Sequence, residues 1–243
     1  MTLTRTAKLA VAIDVPDLAA ARALTDRLRG EVDVVKVGLE LFCAAGPSAV
    51  TTMVDAGFEV FCDLKLHDIP NTVASAARVL GGLGARYVTM HTSGGAAMLR
   101  AGVDGLAEGA AAAGLPAPLT LGVTVLTSDP DAPDELLQGR AALAEASGCG
   151  GLVCAGTDLP TLRGVATGLI RVVPGIRPAG ASVGDQARVT TPEQAVRDGA
   201  GILVVGRPIT QAVDPAAAAA RAIRAEIAAF TSPDAGGDGG GAR

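Results

Sequence analysis

The chain has 243 residues, of which 49% are hydrophobic and 19% charged, and this suits one globular domain with a large core. Its formal net charge is -5 and aromatic residues make up only 2%, which argues against the basic stripe and stacking platforms of a nucleic-acid-binding protein. No run approaches the ~18 apolar residues of a membrane span, and the opening residues lack a signal-peptide pattern. We therefore expect a cytoplasmic protein with neither a membrane nor a nucleic-acid partner.

Short apolar runs rich in β-branched residues recur at intervals of roughly 30 residues. They are LAVAID at 9–14, VDVVKVG at 32–38, FEVFCDLK at 58–65, YVTMH at 87–91, LTLGVTV at 119–125, GLVCAG at 151–156, LIRVVPG at 169–175 and GILVVG at 201–206. Val, Ile and Leu follow one another here without polar alternation. This indicates strands that are buried on both faces, as in a parallel sheet covered by helices.

Ala-rich segments with helical spacing separate several of these runs, and they begin at Leu18, Thr72, Thr191 and Pro215. Strands that alternate with helices predict an α/β protein. Eight such units predict a (β/α)8 TIM barrel that forms a single domain over residues 1–231, with its active site at the carboxyl ends of the strands. An open doubly wound sheet is the alternative architecture.

Two segments fall outside this alternation. Residues 232–243 are Gly-rich and polar, so they bury too little surface to offset their ordering entropy, and we expect a disordered tail. Residues 176–189 form a long Gly-containing connection after the seventh strand, where barrel enzymes often carry a mobile lid over the substrate.

The cysteines and histidines do not indicate a metal site. The cysteine spacing matches neither a zinc pair nor a disulfide framework, so we expect reduced packing residues; they are Cys43, Cys62, Cys149 and Cys154. His67 and His91 lie near carboxylates in the sequence. Hydrogen bonding within loops is the simpler interpretation, because nearby lysines supply the positive charge that a metal ion would bring.

Ionisable residues emerge directly from three of the predicted strands. Asp63 and Lys65 lie two apart after the apolar FEVFC run, so both are expected to project toward the barrel mouth while Leu64 turns toward the helices. Asp14 and Lys36 end the first two strands and can reach the same mouth. Buried charges must alternate in sign, which this cluster does. A salt-bridge network that merely closes the barrel is the alternative, but it does not explain why the charges gather where this fold carries catalysis.

A second constellation follows the last two strands, in PGIR at 174–177 and VGRPI at 205–209. Barrels commonly hold a phosphate group in these two loops, where glycine lets backbone N–H groups approach and arginine supplies a fork of donors. We therefore predict a phosphate site there.

The DLKLHDIPNT segment at 63–72 resembles the signature of the orotidine 5'-phosphate decarboxylase family throughout. Similar segments run along nearly the whole chain, except its tail: AIDVPD near Asp14, VKVGLELF around Lys36, HTSGG from His91, TVLTS from Thr124, PGIRPAG from Pro174, GDQARV from Gly184 and VGRPIT from Val205. The resemblance implies a cofactor-free barrel enzyme that converts orotidine 5'-monophosphate to uridine 5'-monophosphate and CO2 in de novo pyrimidine biosynthesis.

The same resemblance assigns roles to residues. Lys65 is implied to be the proton donor to C6 of the pyrimidine, Asp63 to crowd the departing carboxylate, and Lys36 to fix the array and the ribose. A homodimer is implied, in which Asp68 and Thr72 reach into the neighbouring subunit's site. Asp14 is implied to bind the ribose hydroxyls, and Thr127 and Ser128 are implied to face the pyrimidine. The implied phosphate contacts are Arg177, Gln186, Gly206 and Arg207.

Two other functions stay open. Related barrels share the D-x-K-x-x-D core but use Mg2+ as decarboxylases or aldolases of sugar phosphates, and a strict Mg2+ requirement would favour that interpretation. A catalytically silent barrel that senses a nucleotide phosphate would bind it without turnover. The segments 69–72 and 184–186 favour the orotidine family over the first of these.

Overall fold

The computed structural model describes residues 7–129, 132–178 and 188–231. Parallel strands form a closed barrel in which each strand pairs with the next and the last pairs with the first. The strands are β1 (Lys8–Ala12), β2 (Val34–Val37), β3 (Glu59–Leu66), β4 (Tyr87–His91), β5 (Leu119–Val123), β6 (Gly151–Val153), β7 (Ile170–Val173) and β8 (Ile202–Val205). The predicted eight-stranded barrel is confirmed, and closure excludes the open doubly wound sheet.

Helices cover the outside of the barrel. They are α1 (Leu18–Leu28), α2 (Leu39–Ala45), α3 (Ser48–Asp55), α4 (Pro70–Gly81), α5 (Gly95–Ala112), α6 (Asp134–Ala146), α7 (Pro192–Arg197), α8 (Arg207–Thr210) and α9 (Ala216–Thr231). The expectation of one helix after every strand was wrong at β6. Only a short 3-10 turn at Gly156–Asp158 lies between β6 and β7, because Pro160, Gly164 and Gly168 interrupt any helix there.

Each strand divides its side chains between two cores, as the two-residue strand period requires. Inward-facing side chains fill the barrel, among them Ala10, Val34 and Tyr87. Their neighbours along the chain, such as Leu9 and Val11, are fully buried in the larger core between the strands and the helices. The barrel interior below the strand ends is therefore packed with side chains, which leaves the carboxyl end as the place for a site.

A polar cluster closes the amino end of the barrel. Lys8 Nζ donates to both carboxylate oxygens of Glu59, at 2.8 and 2.7 Å. The Tyr87 hydroxyl accepts from Lys8 at 3.3 Å and donates to Glu59 at 3.2 Å. These three side chains thus hydrogen-bond one another, and we call this cluster the floor of the barrel.

Helices α4 and α5 pack unusually closely through small residues. A Cβ atom added at Gly105 of α5 would clash with the Ala74 carbonyl oxygen of α4, and one at Gly109 would clash with the Arg78 carbonyl oxygen. A Cβ at Gly81 of α4 would meet the Leu106 carbonyl oxygen in return. The two backbones therefore approach within a distance that only glycine permits at these positions.

Other expectations from the sequence have mixed outcomes. All four cysteines are free; Cys62, Cys149 and Cys154 are buried, but Cys43 is exposed, so the prediction of a packing role was wrong for that residue. No helix among the described residues is long and apolar enough to cross a membrane. The predicted tail at 232–243, and most of the predicted lid, at 179–187, lie outside the described residues, so the division at residue 231 stays a prediction.

Replacement of Gly105 by alanine should weaken the α4–α5 contact. We expect Gly105→Ala to lower the free energy of unfolding by about 2 kcal/mol, because the added methyl group forces the backbones apart. The control is Gly139→Ala on the exposed face of α6, where a Cβ meets nothing within 4 Å. That variant should gain roughly 0.5–1 kcal/mol from helix propensity. Urea denaturation checks both, and equal effects would contradict the close packing.

Candidate active site

Charged side chains from the first three strands lie in a row at the carboxyl end of the barrel. Asp14 follows β1, and Lys36 lies in β2. The Nζ atom of Lys36 is 3.3 Å from Asp14 Oδ1 and 3.6 Å from Asp63 Oδ2. Lys65 Nζ donates to Asp63 Oδ1 at 2.8 Å. The charges that the sequence singled out thus stand side by side with alternating sign, and Asp63 lies between the two ammonium groups.

Lys65 has a backbone conformation that is rare for a residue with a side chain. Its φ is 51°, in the left-handed region, where the pairing of β3 with β4 shifts register between Cys62 and Leu66. The regular alternation assumed for β3 was therefore wrong at this point. Asp63 and Lys65 still meet, and Leu64 packs against the outer core. Such a conformation costs about 1–3 kcal/mol and persists where surrounding contacts determine it.

Two residues that the sequence reasoning missed hold this arrangement. The fully buried Thr89 of β4 accepts the Lys65 N–H at 2.9 Å and donates to Asp63 Oδ1 at 3.1 Å. Its signal was a threonine at the centre of the otherwise largely apolar YVTMH run. At Gly38, a Cβ would lie 2.8 Å from Asp14 Oδ1 and 2.9 Å from Lys36 Nζ, so a larger residue would displace the row.

The row keeps Asp63 ionised although it is buried. Burial raises the pKa of Asp63, but the charges of Lys36 and Lys65 and hydrogen bonds from Lys65 and Thr89 outweigh this effect and hold the pKa below its ordinary value. For the adjacent thiol of Cys62, burial outweighs the opposing effect of the Lys36 charge on the pKa. Burial, aided by the charge of Asp63, raises the pKa of Cys62 to about 12, which leaves a neutral thiol that is a poor nucleophile.

The row borders a cavity of about 490 Å³, a size that accommodates a small-molecule ligand. Asp14, Lys36, Asp63 and Lys65 all line it. Gly175 and Arg177 line it from the segment after β7, and Gly206 and Arg207 line it from the end of β8. The cavity therefore joins the charged row to the predicted phosphate site.

The turn after β5 supplies another wall. Leu126 and Thr127 line the cavity, whereas the Ser128 side chain is exposed and is not among the described lining residues. Arg140 of α6 donates to the Thr124 carbonyl oxygen at 2.5 Å and so fixes the start of this segment. Of the two pyrimidine contacts predicted in this turn, Thr127 lies on the described wall of the cavity, and the contact of Ser128 stays a prediction.

Two further site residues predicted from the sequence do not lie at this cavity in their own chain. Asp68 and Thr72, around the start of α4, are exposed and do not belong to the described lining. Asp68 Oδ1 accepts the N–H of Ile69 at 2.7 Å. Gln186 lies outside the described residues.

The two histidines lie together beside the row, with ring centroids 5.4 Å apart. Burial lowers the pKa of His91, and the nearby His67, Lys65 and Arg140 lower it further, which favours a neutral imidazole. Within residues 7–129, 132–178 and 188–231, no group of three or more His, Cys, Asp or Glu side chains is placed to hold a metal ion.

Comparison with known proteins agrees with the geometry. Orotidine 5'-phosphate decarboxylase from Moorella thermoacetica is 49% identical over 232 residues, which cover 90% of this chain and 92% of that protein. The enzyme of the same name from Nitratidesulfovibrio vulgaris is 48% identical over 92% of this chain and 98% of its own.

Among solved structures, orotidine 5'-phosphate decarboxylase from Lactobacillus acidophilus superposes with a TM-score of 0.78 at 35% identity, covering 91% of this chain and 99% of that one. The family model described as "Orotidine 5'-phosphate decarboxylase / HUMPS family" matches residues 7–222. This match spans all eight strands, including the charged row and the arginines that follow β7 and β8. The chain therefore belongs to the orotidine 5'-phosphate decarboxylase family.

Proposed function

We propose that this chain converts orotidine 5'-monophosphate to uridine 5'-monophosphate and CO2, without a metal or organic cofactor, as a step of de novo pyrimidine biosynthesis. The observation that carries the proposal is the Lys65–Asp63–Lys36–Asp14 row on the wall of a cavity that Arg177 and Arg207 also line. One part suits a reaction that develops negative charge, and the other suits a phosphate group.

The substrate is proposed to lie across the cavity with its phosphate at Arg177, Gly206 and Arg207. Arginine offers a planar fork of donors to phosphate oxygens, and glycine allows close approach of the backbone. The ribose hydroxyls would then lie near Asp14 and Lys36, and the pyrimidine near Thr127. Gln186 belongs to the phosphate contacts and Ser128 to the pyrimidine contacts in this proposal by resemblance alone.

Decarboxylation breaks the bond between C6 and the carboxylate and leaves the electron pair on C6. In this proposal the Lys65 ammonium stabilises that charge and transfers its proton from Nζ to C6, after which Lys65 regains a proton from solvent. In the proposal the substrate carboxylate lies next to the Asp63 carboxylate, which stays ionised between two lysines and therefore repels it. Loss of neutral CO2 relieves that repulsion, so the row favours the transition state over the bound substrate.

We further propose that the enzyme is a homodimer in which Asp68 and Thr72 complete the neighbouring subunit's site. Both residues are exposed and away from the cavity of their own chain. Ile69, between them, is 66% exposed, and Leu39 at the start of α2 is 55% exposed. Large apolar side chains at such exposure suit a protein interface, and a second copy is the partner that the family resemblance implies.

A cytoplasmic location is part of the proposal. The four cysteines are free, and three of them are buried. Burial raises the pKa of Cys149 to about 11 and that of Cys154 to about 12, so these thiols stay protonated. A reducing compartment is where such a set is ordinarily found.

The direct test is the ultraviolet absorbance of orotidine 5'-monophosphate mixed with purified protein, with and without a chelator. We expect rapid conversion to uridine 5'-monophosphate at the same rate in both samples, because Lys65 supplies the positive charge. A strict Mg2+ requirement would instead favour a sugar-phosphate enzyme of related design. Binding without conversion would favour a silent barrel.

The same assay on Lys65→Ala should show no turnover. Calorimetry should still detect binding of uridine 5'-monophosphate to this variant, because the phosphate contacts remain. Lys8→Ala is the matched control, since Lys8 pairs with Glu59 at the opposite end of the barrel. It should retain the parent rate. Appreciable activity in Lys65→Ala would remove Lys65 from the role of proton donor.

The depressed pKa of Asp63 predicts how the stability of the protein depends on pH. The folded state binds the Asp63 proton less tightly than the unfolded state, so ionisation adds stability above the unfolded pKa of about 3.9 and this contribution is lost as pH falls through the lower folded pKa. We expect Asp63→Asn to cost roughly 3 kcal/mol at neutral pH, because two lysines lose their shared partner. Urea denaturation should show this difference shrinking below about pH 4; a pH-independent difference would contradict the assignment.

Mixed dimers test whether Asp68 crosses the interface. A heterodimer of Lys65→Ala and Asp68→Ala chains, isolated with two affinity tags, should have one intact site and about half the parent activity, since each site takes one residue from each subunit. A heterodimer of Lys65→Ala and Asp63→Asn chains is the control. Lys65 and Asp63 both act in the site of their own chain, so each of the two sites in this heterodimer carries one substitution and neither is intact. Equal inactivity of the two heterodimers would contradict the exchange.

A further inference from the structure

Arg188 makes contacts that no role described so far requires. Its Nη1 donates to Asp158 Oδ1 at 2.5 Å, and its Nη2 donates to the Leu126 carbonyl oxygen at 2.9 Å. The Arg188 side chain is 11% exposed and that of Asp158 is 4% exposed. Among the described residues, the buried Arg188 Nε has no hydrogen-bond partner, which is a desolvation cost. An arginine retained at that cost has a specific constraint to satisfy.

The carbonyl group that Arg188 contacts belongs to the turn on the cavity wall. Leu126 also accepts the N–H of Asp129 at 2.9 Å, so residues 126–129 form a closed turn. Thr127 occupies the second position of that turn and lines the cavity. Arg188 therefore holds the first residue of the element that presents Thr127.

The other contact anchors this arginine to the barrel. Asp158 Oδ2 accepts the Ala155 N–H at 2.9 Å just beyond β6, so the carboxylate is fixed at both oxygens. Two residues after Arg188, the Thr190 carbonyl oxygen accepts the Arg177 N–H at 2.9 Å. Residues 188–190 thus link the turn after β5 to the arginine after β7.

We propose that Arg188 is a positioning residue that holds the 126–129 turn against the cavity, so that Thr127 meets the pyrimidine ring. This inference rests on the proposed function. Arg188 is not among the described residues that line the cavity, and it acts on the ligand through Leu126 and Thr127. Its guanidinium fork matters because it reaches the carboxylate and the carbonyl group at the same time.

Two ligands separate this role from general stabilisation. Uridine 5'-monophosphate carries the base, whereas ribose 5-phosphate lacks it and keeps the sugar and phosphate. For Arg188→Ala, calorimetry should show about tenfold weaker binding of uridine 5'-monophosphate and a change of less than about twofold for ribose 5-phosphate. The value of kcat/KM for orotidine 5'-monophosphate should fall by about the same tenfold factor, because the transition state uses the same contact.

Arg188→Lys guards against a variant that fails to fold. Lysine can pair with Asp158 and preserve the melting temperature, but a single ammonium lacks the second arm that reaches Leu126. We therefore expect Arg188→Lys to keep the melting temperature of the parent protein but to bind uridine 5'-monophosphate roughly threefold or more weakly.

Arg224→Ala is the matched control, because Arg224 also donates to a carbonyl oxygen, that of Glu31, and pairs with an aspartate, Asp33. It should lower the melting temperature without changing either affinity. The inference is overturned if Arg188→Ala or Arg188→Lys binds uridine 5'-monophosphate as tightly as the parent, or if both ligands weaken equally. A parent protein that neither binds uridine 5'-monophosphate nor decarboxylates its precursor would overturn the proposed function itself.

Discussion

The alternation of charge along Asp14, Lys36, Asp63 and Lys65 is the interaction on which the mouth of this barrel depends. Parallel pairing of β1 with β2 and of β2 with β3 brings the carboxyl ends of these strands side by side, so the charges that follow them must coexist at close range. Two neighbouring ammonium groups or two neighbouring carboxylates would repel one another, and the resulting pKa shift would favour loss of charge from one of them. Alternation lets all the charges persist in a sheltered place, already oriented before any ligand arrives.

Local backbone distortion delivers one of those charges. In a regular strand the Lys65 side chain would follow the pleat, but β3 departs from its pairing with β4 and Lys65 takes a left-handed conformation. Thr89 accounts for its retention, because one hydroxyl group binds both the Lys65 backbone and the Asp63 carboxylate. Strain in the main chain and ionisation in the side chains are therefore stabilised by the same buried atom.

The sequence was most informative where physical patterns are local and repetitive. Apolar runs located every strand, because burial on both faces removes polar residues from the whole run. The conformation of Lys65 could not be predicted, since it arises from pairing with a distant strand. Neither could the requirement for glycine at Gly38, which is imposed by the side chain of the distant Asp14 together with that of the nearby Lys36. The contact between Arg188 and Leu126 joins residues 62 positions apart, and no periodicity in the sequence reports it.

The packed interior and the floor of the barrel also affect how products can leave the cavity. Side chains fill the barrel below the charged row, so we expect molecules to enter and leave the cavity at the mouth. In the proposed reaction, gas and nucleotide must then share a single exit. CO2 is small enough to leave while uridine 5'-monophosphate is still bound, but a new substrate molecule cannot bind until uridine 5'-monophosphate has left. Product inhibition should consequently be competitive with substrate, a kinetic pattern set by the architecture of the barrel.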